Sequence, residues 1–247
     1  MRWAELQEGR GIPPEILARA PADPWRHEVT FFTPPPEPLD TPSRRAAQAL
    51  LPEAGSVLDV GCGGGAASFS LADSAGHITG ADLQQDMLDA FEAEARARGV
   101  PHRTVLGRWP GAAPAAGTAD VVVCHHVLHN VVDLGPFVVA LTAAAGEGVV
   151  VEMLSEHPMA WLDPLWMRFH GLRRPEPATV DDAVAVLRGA GLEPEVVRWD
   201  RSRRPPHDAR WVARRLCLDE DREPEVADAL AALPPRTTQA ATLTWRP

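Results

Sequence analysis

The run Val57-Leu58-Asp59-Val60-Gly61-Cys62-Gly63-Gly64-Gly65 leaves this chain few folds to choose from. An apolar strand leads into it, and a carboxylate stands two positions before the first glycine. The alanine-rich stretch that follows, Ala66–Ala72, is expected to be a helix. Glycines let the backbone turn tightly and approach a ligand closely, and a helix starting after them offers unpaired N–H groups. As G-x-G-x-x-G/A (Gly61, Gly63, Ala66) the run also meets the dinucleotide fingerprint, so the glycines alone do not settle the ligand. Asp59 weighs on that choice. A carboxylate beside the turn repels a pyrophosphate and suits a ligand that carries an ammonium group.

A second carboxylate comes about 20 residues after the first glycine, where His77-Ile78-Thr79-Gly80-Ala81 reads as a short strand ending at Asp82. There it can accept hydrogen bonds from both hydroxyls of a ribose, or cap the next helix, and the two roles are compatible. The glycine run resembles motif I of the class I S-adenosylmethionine (SAM) dependent methyltransferases, whose D-x-G-x-G-x-G holds the methionine half of that cofactor. The resemblance implies that Asp59, Gly61, Cys62 and Gly63 meet that half, and that Asp82 takes the ribose. Leu83 would then flank the adenine, with Met87 one helical turn on. Gly107-Arg108-Trp109-Pro110 falls where the family usually places an acidic residue on the adenine amine. Arg108 and Trp109 depart from that pattern, and Trp109 offers a ring to stack instead. Ala119–His129 is similar to the family's fourth strand and the loop after it, so Cys124 and His125 would adjoin the methionine moiety.

Alternating patterns around this segment predict an α/β fold. Strands are expected at Val57–Val60, His77–Ala81, His102–Leu106, Val121–Cys124 and Val149–Glu152, with helices at Asp86–Arg98 and Val132–Ala145. Runs such as Val121-Val122-Val123 suit strands buried on both faces, as parallel sheets require. Thr41 with Pro42 opens a helix to about Leu51, and Thr179-Val180-Asp181-Asp182 opens another that Gly191 ends. Glu195–Trp199 and Ala240–Trp245 read as strands six and seven. The expectation is a Rossmann-like, doubly wound, seven-stranded sheet, mostly parallel with an antiparallel last strand. Residues 1–40 form a proline-rich arm with short helices at Trp3–Glu8 and Pro14–Ala20; residues 41–247 form the SAM-binding domain. Within that domain 154–177 is an insertion rich in tryptophan, and arm and insertion are expected to roof a substrate pocket or to pack as a satellite core.

Composition removes several classes. The chain of 247 residues has no lysine and no tyrosine, which excludes a P-loop, a lysine base and the N-P-P-Y motif of adenine-methylating enzymes. The bias to arginine, alanine, proline and glycine is that of a GC-rich, bacterial genome. No apolar run reaches the length of a membrane span and no leader opens the chain, so residence in the cytoplasm is expected. Three scattered cysteines give neither a zinc pattern nor a disulfide framework. A net charge of −10 disfavours nucleic acid as a partner, although eleven arginines against seven acids lie between Arg168 and Arg215. An anionic small substrate is the other use for such a cluster. The oligomeric state is left open.

For methyl transfer to oxygen a base is needed, and histidine suits neutral pH. His126 is the expected base, at the C-terminal end of a central strand, with His157 in the insertion second. His129 serves equally well as a brace. No metal is expected: His125 and His126 point oppositely on a regular strand, and no helical carboxylate completes a site with His129. The expected function is SAM-dependent methylation of oxygen or nitrogen on a small molecule. An NAD(P)-dependent oxidoreductase, a non-catalytic SAM-binding protein and an RNA methyltransferase are the alternatives.

Overall fold

The computed structural model describes residues 2–25, 29–201, 207–234 and 238–247. The arm carries α1 (Arg2–Glu8) and α2 (Pro14–Leu17), and the domain begins with α3 (Pro42–Leu50). Thr41 caps α3 by accepting from the Arg44 N–H, with proline in the first turn where its missing N–H costs nothing. Then come β1 (Ser56–Val60), β2 (His77–Asp82), α4 (Gln85–Arg98), β3 (His102–Leu106), α5 (Ala113–Ala116) and β4 (Ala119–His125). They are followed by α6 (Leu134–Ala144), β5 (Ala145–Leu154), α7 (Asp163–His170), α8 (Val180–Gly189), β6 (Glu195–Arg201), α9 (Ala209–Arg215), α10 (Glu223–Ala231) and β7 (Thr238–Trp245).

The seven strands lie in the order β3-β2-β1-β4-β5-β7-β6. The pairs β3–β2, β2–β1, β1–β4 and β4–β5 are parallel, and β7 runs antiparallel to both β5 and β6. The strand order reverses between β1 and β4, and open α/β sheets leave a ligand crevice at the C-terminal edge of that point. The glycine run starts at the end of β1, and His125 ends β4.

Alternation along the strands divides two cores. Leu58, Val60, Val122 and Cys124 face Phe137, Val138 and Leu141 of α6 and Leu187 of α8. Val57, Val121 and Val123 face the other way, toward Phe69 and Phe91. Period two puts Asp59 on this second face. Burying each of these large side chains contributes on the order of 1.5–3 kcal/mol. The expected capping box at α8 is present, with Thr179 and Asp182 each accepting from the other's backbone N–H.

One expectation fails. Ala66–Ala72 forms no α-helix, only a 3-10 turn over Ser68–Leu71. The Ser68 N–H and hydroxyl both donate to Asp59 Oδ2, at 3.2 and 2.7 Å, which diverts the donor a helix would use. Strands six and seven do pair antiparallel, with α9 and α10 inserted between them. These helices join Ile16 of the arm and Leu162, Leu165 and Trp166 of the insertion in a third core with Trp211, Val212, Leu216 and Val226. The satellite core is real, and the arm also enters the main one through Trp3, 2% exposed, whose indole donates to Val131 O at 2.7 Å.

Candidate active site

The glycine turn is held from within. The N–H groups of Gly61 and Cys62 both donate to Ala81 O, at 2.8 and 3.1 Å, and Gly65 N–H donates to Cys62 O. Gly63 N–H donates to Asp82 Oδ2 at 3.0 Å. Gly61 and Gly63 adopt φ of +72° and +51°, and a Cβ there would lie 2.3 Å from Val127 Cγ2 and 2.7 Å from Phe32 Cβ. Only glycine fits both the conformation and the packing. These N–H groups are engaged within the protein, and no α-helix follows the turn to align further donors on a pyrophosphate. That corrects the expectation of an N–H-rich helix start.

Asp59 lies beneath the turn, 1% exposed. Its Oδ2 takes both Ser68 donors, while Oδ1 is buried with no hydrogen-bond partner within the protein. Burial pushes its carboxyl up to about 7, against the lowering effect of the Ser68 bonds, and the charge of Asp82 adds to the rise. A buried carboxylate oxygen lacking a partner is costly and fits a cationic donor. The donor set therefore suits the ammonium of a methionine moiety, as the resemblance implied.

Asp82 closes β2. Its two oxygens accept from Gly63 and Gln84 N–H, both at 3.0 Å, and a carboxylate has lone pairs to spare for two hydroxyls. It is not the helix cap, which is Gln84. Leu83 is exposed beside it and Met87 is buried on α4. Arg108 is exposed, and Trp109 packs in the main core with its indole donating to Phe137 O at 3.2 Å. Cys62 and Cys124 are buried thiols, raised by desolvation and held protonated.

At the end of β4 the backbone breaks alternation. His126 takes φ +62°, rare for a residue with a side chain, and its N–H donates to Glu152 O at 2.7 Å. The kink brings His125 and His126 toward one carboxylate, contrary to the opposed directions a regular strand predicts. His126 Nε2 lies 3.0 Å from Glu152 Oε1, and His125 Nδ1 lies 4.0 Å from Oε2. Burial alone would raise the Glu152 carboxyl. The hydrogen bond from His126, the two imidazoles and the Ser43 hydroxyl prevail and hold it well below the usual carboxylate range. Glu152 is a site residue that sequence reasoning missed, because its partnership arises from the β4–β5 register that pairs it with His125. Among the described residues no group of three or more ligand-type side chains is set to hold a metal.

Next to this cluster a cavity of about 200 Å³ opens between arm and insertion. Its walls include Arg10, His129, His157, Trp166, Arg174 and Arg215. His129 Nε2 bonds Leu154 O at 3.0 Å, while its Nδ1 is buried without a partner. His157 Nδ1 already accepts the Met159 N–H at 3.1 Å, so the neutral ring presents a donor at Nε2. That geometry corrects the expectation of His157 as a base. Burial holds His129 down to about 4 and His157 to about 3, so both are neutral at physiological pH.

The comparisons with known proteins agree with this arrangement. A family model described as "Methyltransferase domain" matches residues 57–145. The chain is 33% identical over 154 residues to a ubiquinone biosynthesis O-methyltransferase of Bordetella parapertussis, covering 58% of this chain and 64% of that protein. It is 35% identical over 113 residues to the protein of that name in Sodalis glossinidius, covering 43% and 44%. The chain thus spans about half the length of the relatives it matches. Among solved structures, the YcgJ protein of Bacillus subtilis superposes with a TM-score of 0.58 at 15% identity, covering 83% of this chain and 97% of that one. The magnesium protoporphyrin IX methyltransferase of Synechocystis, solved with bound SAH, gives 0.53 at 18% identity, covering 81% and 78%. Sheet order, glycine turn and domain match converge: residues 57–145 match a methyltransferase domain, set in a sheet of the order found in methyltransferase structures, and S-adenosylmethionine is the cofactor that domain takes.

Proposed function

We propose that this protein methylates a hydroxyl on a small organic molecule. The observation that carries the reading is the pairing of His126 with Glu152 at the sheet's switch point, with a buried carboxylate suited to an ammonium-bearing cofactor under the glycine turn and a partly open cavity reached through His129. SAM, when bound, supplies an electrophilic methyl on its sulfonium. Asp59 and the Gly61–Gly65 turn hold the methionine half, and Asp82 holds the ribose.

The protein's remaining work is to orient the acceptor and remove its proton. Glu152 keeps the Nε2–H tautomer of His126 and steadies the positive ring that forms when the other nitrogen takes the acceptor's proton. His129 and His157, both neutral, offer a lone pair and a donor to position the acceptor from the cavity side. Arm and insertion shield the site from water, which favours displacement over side reactions. A cavity of this size admits a molecule of one or two rings and not a polymer, which speaks against an RNA substrate.

Isothermal titration tests the cofactor half. S-adenosylhomocysteine is expected to bind at a micromolar scale and NADH not to bind; tight NADH binding with no response to the sulfur ligand would overturn the reading. Asp82→Ala should weaken that binding by about 1–3 kcal/mol, because it leaves buried partners unpaired.

A further inference from the structure

The cavity between arm and insertion is positively charged inside a protein of net charge −10. Arg10, Arg174 and Arg215 line it, and among the described residues no carboxylate does. Arg10 is 6% exposed and Arg215 4%, so their charges are withdrawn from water and act at close range. Asp163 lies 2.6 Å from Arg10 Nη2, and the field of Asp23 reaches Arg215. Neither of these two carboxylates lines the cavity.

The arginines are only partly used. Arg10 donates to Pro175 O and to Asp163, and its Nε is buried with no acceptor. Arg174 donates to the carbonyls of Arg10 and Gly11, and its Nε is likewise buried without one. A guanidinium has five N–H donors, so each keeps more than it spends. Burying such donors beside a cavity is costly unless something there accepts from them. The neutral histidines add no charge, and they add no competing anion either. Beside the neutral amides Gln7 and Asn130, the walls include the apolar and aromatic side chains of Ile12, Met159, Leu162 and Trp166, the last with Arg174 stacked 5.2 Å from its ring.

Building on the methyltransferase reading above, we propose that the acceptor is a small aromatic anion. Its carboxylate or phosphate is held by Arg10, Arg174 and Arg215, and its ring lies on the wall around Trp166. Anchoring the anionic end among the arginines turns the rest of the molecule toward His129, and so toward the end of β4 where His126 stands. The arginines then serve twice. They tie the arm to the insertion, and they select a charged substrate from neutral analogues of the same shape.

Tryptophan fluorescence reads this directly, since Trp25 and Trp166 both line the cavity. The probes are benzoate, phenyl phosphate and the neutral isostere benzamide, titrated into the full chain with and without S-adenosylhomocysteine. At least one anion is expected to bind about tenfold or more tighter than benzamide, and the tighter of the two identifies the acidic group. Arg174→Gln should reduce that preference about tenfold while leaving S-adenosylhomocysteine affinity unchanged, and Arg174→Lys, which keeps the charge but loses the fork and the stacking, should restore only part of it. If Arg174→Gln fails to fold, the comparison of probes on the unmodified protein decides alone. Equal binding of benzamide and both anions, or no anion bound up to about 10 mM, would overturn the proposal. Anion preference without any response to S-adenosylhomocysteine would sustain the anion site and remove the methyltransferase reading.

Discussion

His126 Nε2 and Glu152 Oε1 lie 3.0 Å apart, while the backbone N–H of the same histidine donates to the carbonyl of the same glutamate at 2.7 Å. Two bonds between one pair of residues fix both the ring and the kinked peptide that carries it. A positive φ at a residue with a Cβ costs of order 1–3 kcal/mol, which the surrounding contacts must offset. The pairing locks a strained residue at the edge of the sheet where ligands gather.

Removing either partner separates chemistry from binding. With a hydroxyl acceptor, His126→Ala should lower kcat about 10²–10⁴-fold and leave cofactor affinity nearly intact. Glu152→Gln keeps the shape but removes the charge, so it should lower kcat less and move the acidic limb of the kcat–pH profile downward. Unchanged turnover in His126→Ala would leave positioning alone as the catalytic device.

Asp59 gives the cofactor site its own pH dependence. Its carboxyl is raised from 3.8 to about 7 by burial, so the folded state prefers the neutral form across that interval. The stability this contributes is complete below the unfolded value and lost as pH rises through about 7. An ammonium-bearing ligand favours the charged form, so its affinity should rise between about pH 6 and about pH 8. Asp59→Asn should abolish that rise, weaken binding and leave the protein more heat-stable at alkaline pH. Titration calorimetry and thermal melts at two pH values distinguish these outcomes.

Acidification should unfold the protein early. Burial lowers His125 and His129 from 6.5 to about 4 and His157 to about 3, so the unfolded chain takes up these protons first. A depressed basic group contributes stability above its unfolded value, and that stability is lost as pH falls below it. Three histidines outweigh the opposite trend of Asp59, so stability should fall between about pH 6.5 and about pH 4. Urea denaturation across that range checks the slope, which His157→Gln should flatten in part.

The parts legible from sequence are those written in neighbouring residues. Thr41 before Pro42, the Thr179–Asp182 box and the Asp59–Gly65 turn all act within a few positions of themselves. The helix expected over Ala66–Ala72 is absent because Asp59, nine residues from Ser68, takes that residue's donors. Propensity has no view of such a partner. Glu152 went unread for a related cause: it reads as one more strand residue until the β4–β5 register sets it beside His125. The helices between β6 and β7 did have a local sign, Asp208 capping Trp211 N–H at 2.7 Å, in a segment whose arginines drew attention first.

Phe31 packs on the third core, and the very next residue, Phe32, covers Gly63. One step along the backbone therefore connects the ground beneath the glycine turn with Ile16, Trp166 and Trp211. Exchange of the spent cofactor and loosening of that remote core become a single kinetic event. A substitution such as Val226→Ala, far from either ligand, would then speed cofactor release, and an occupant of the arginine-lined cavity would slow it.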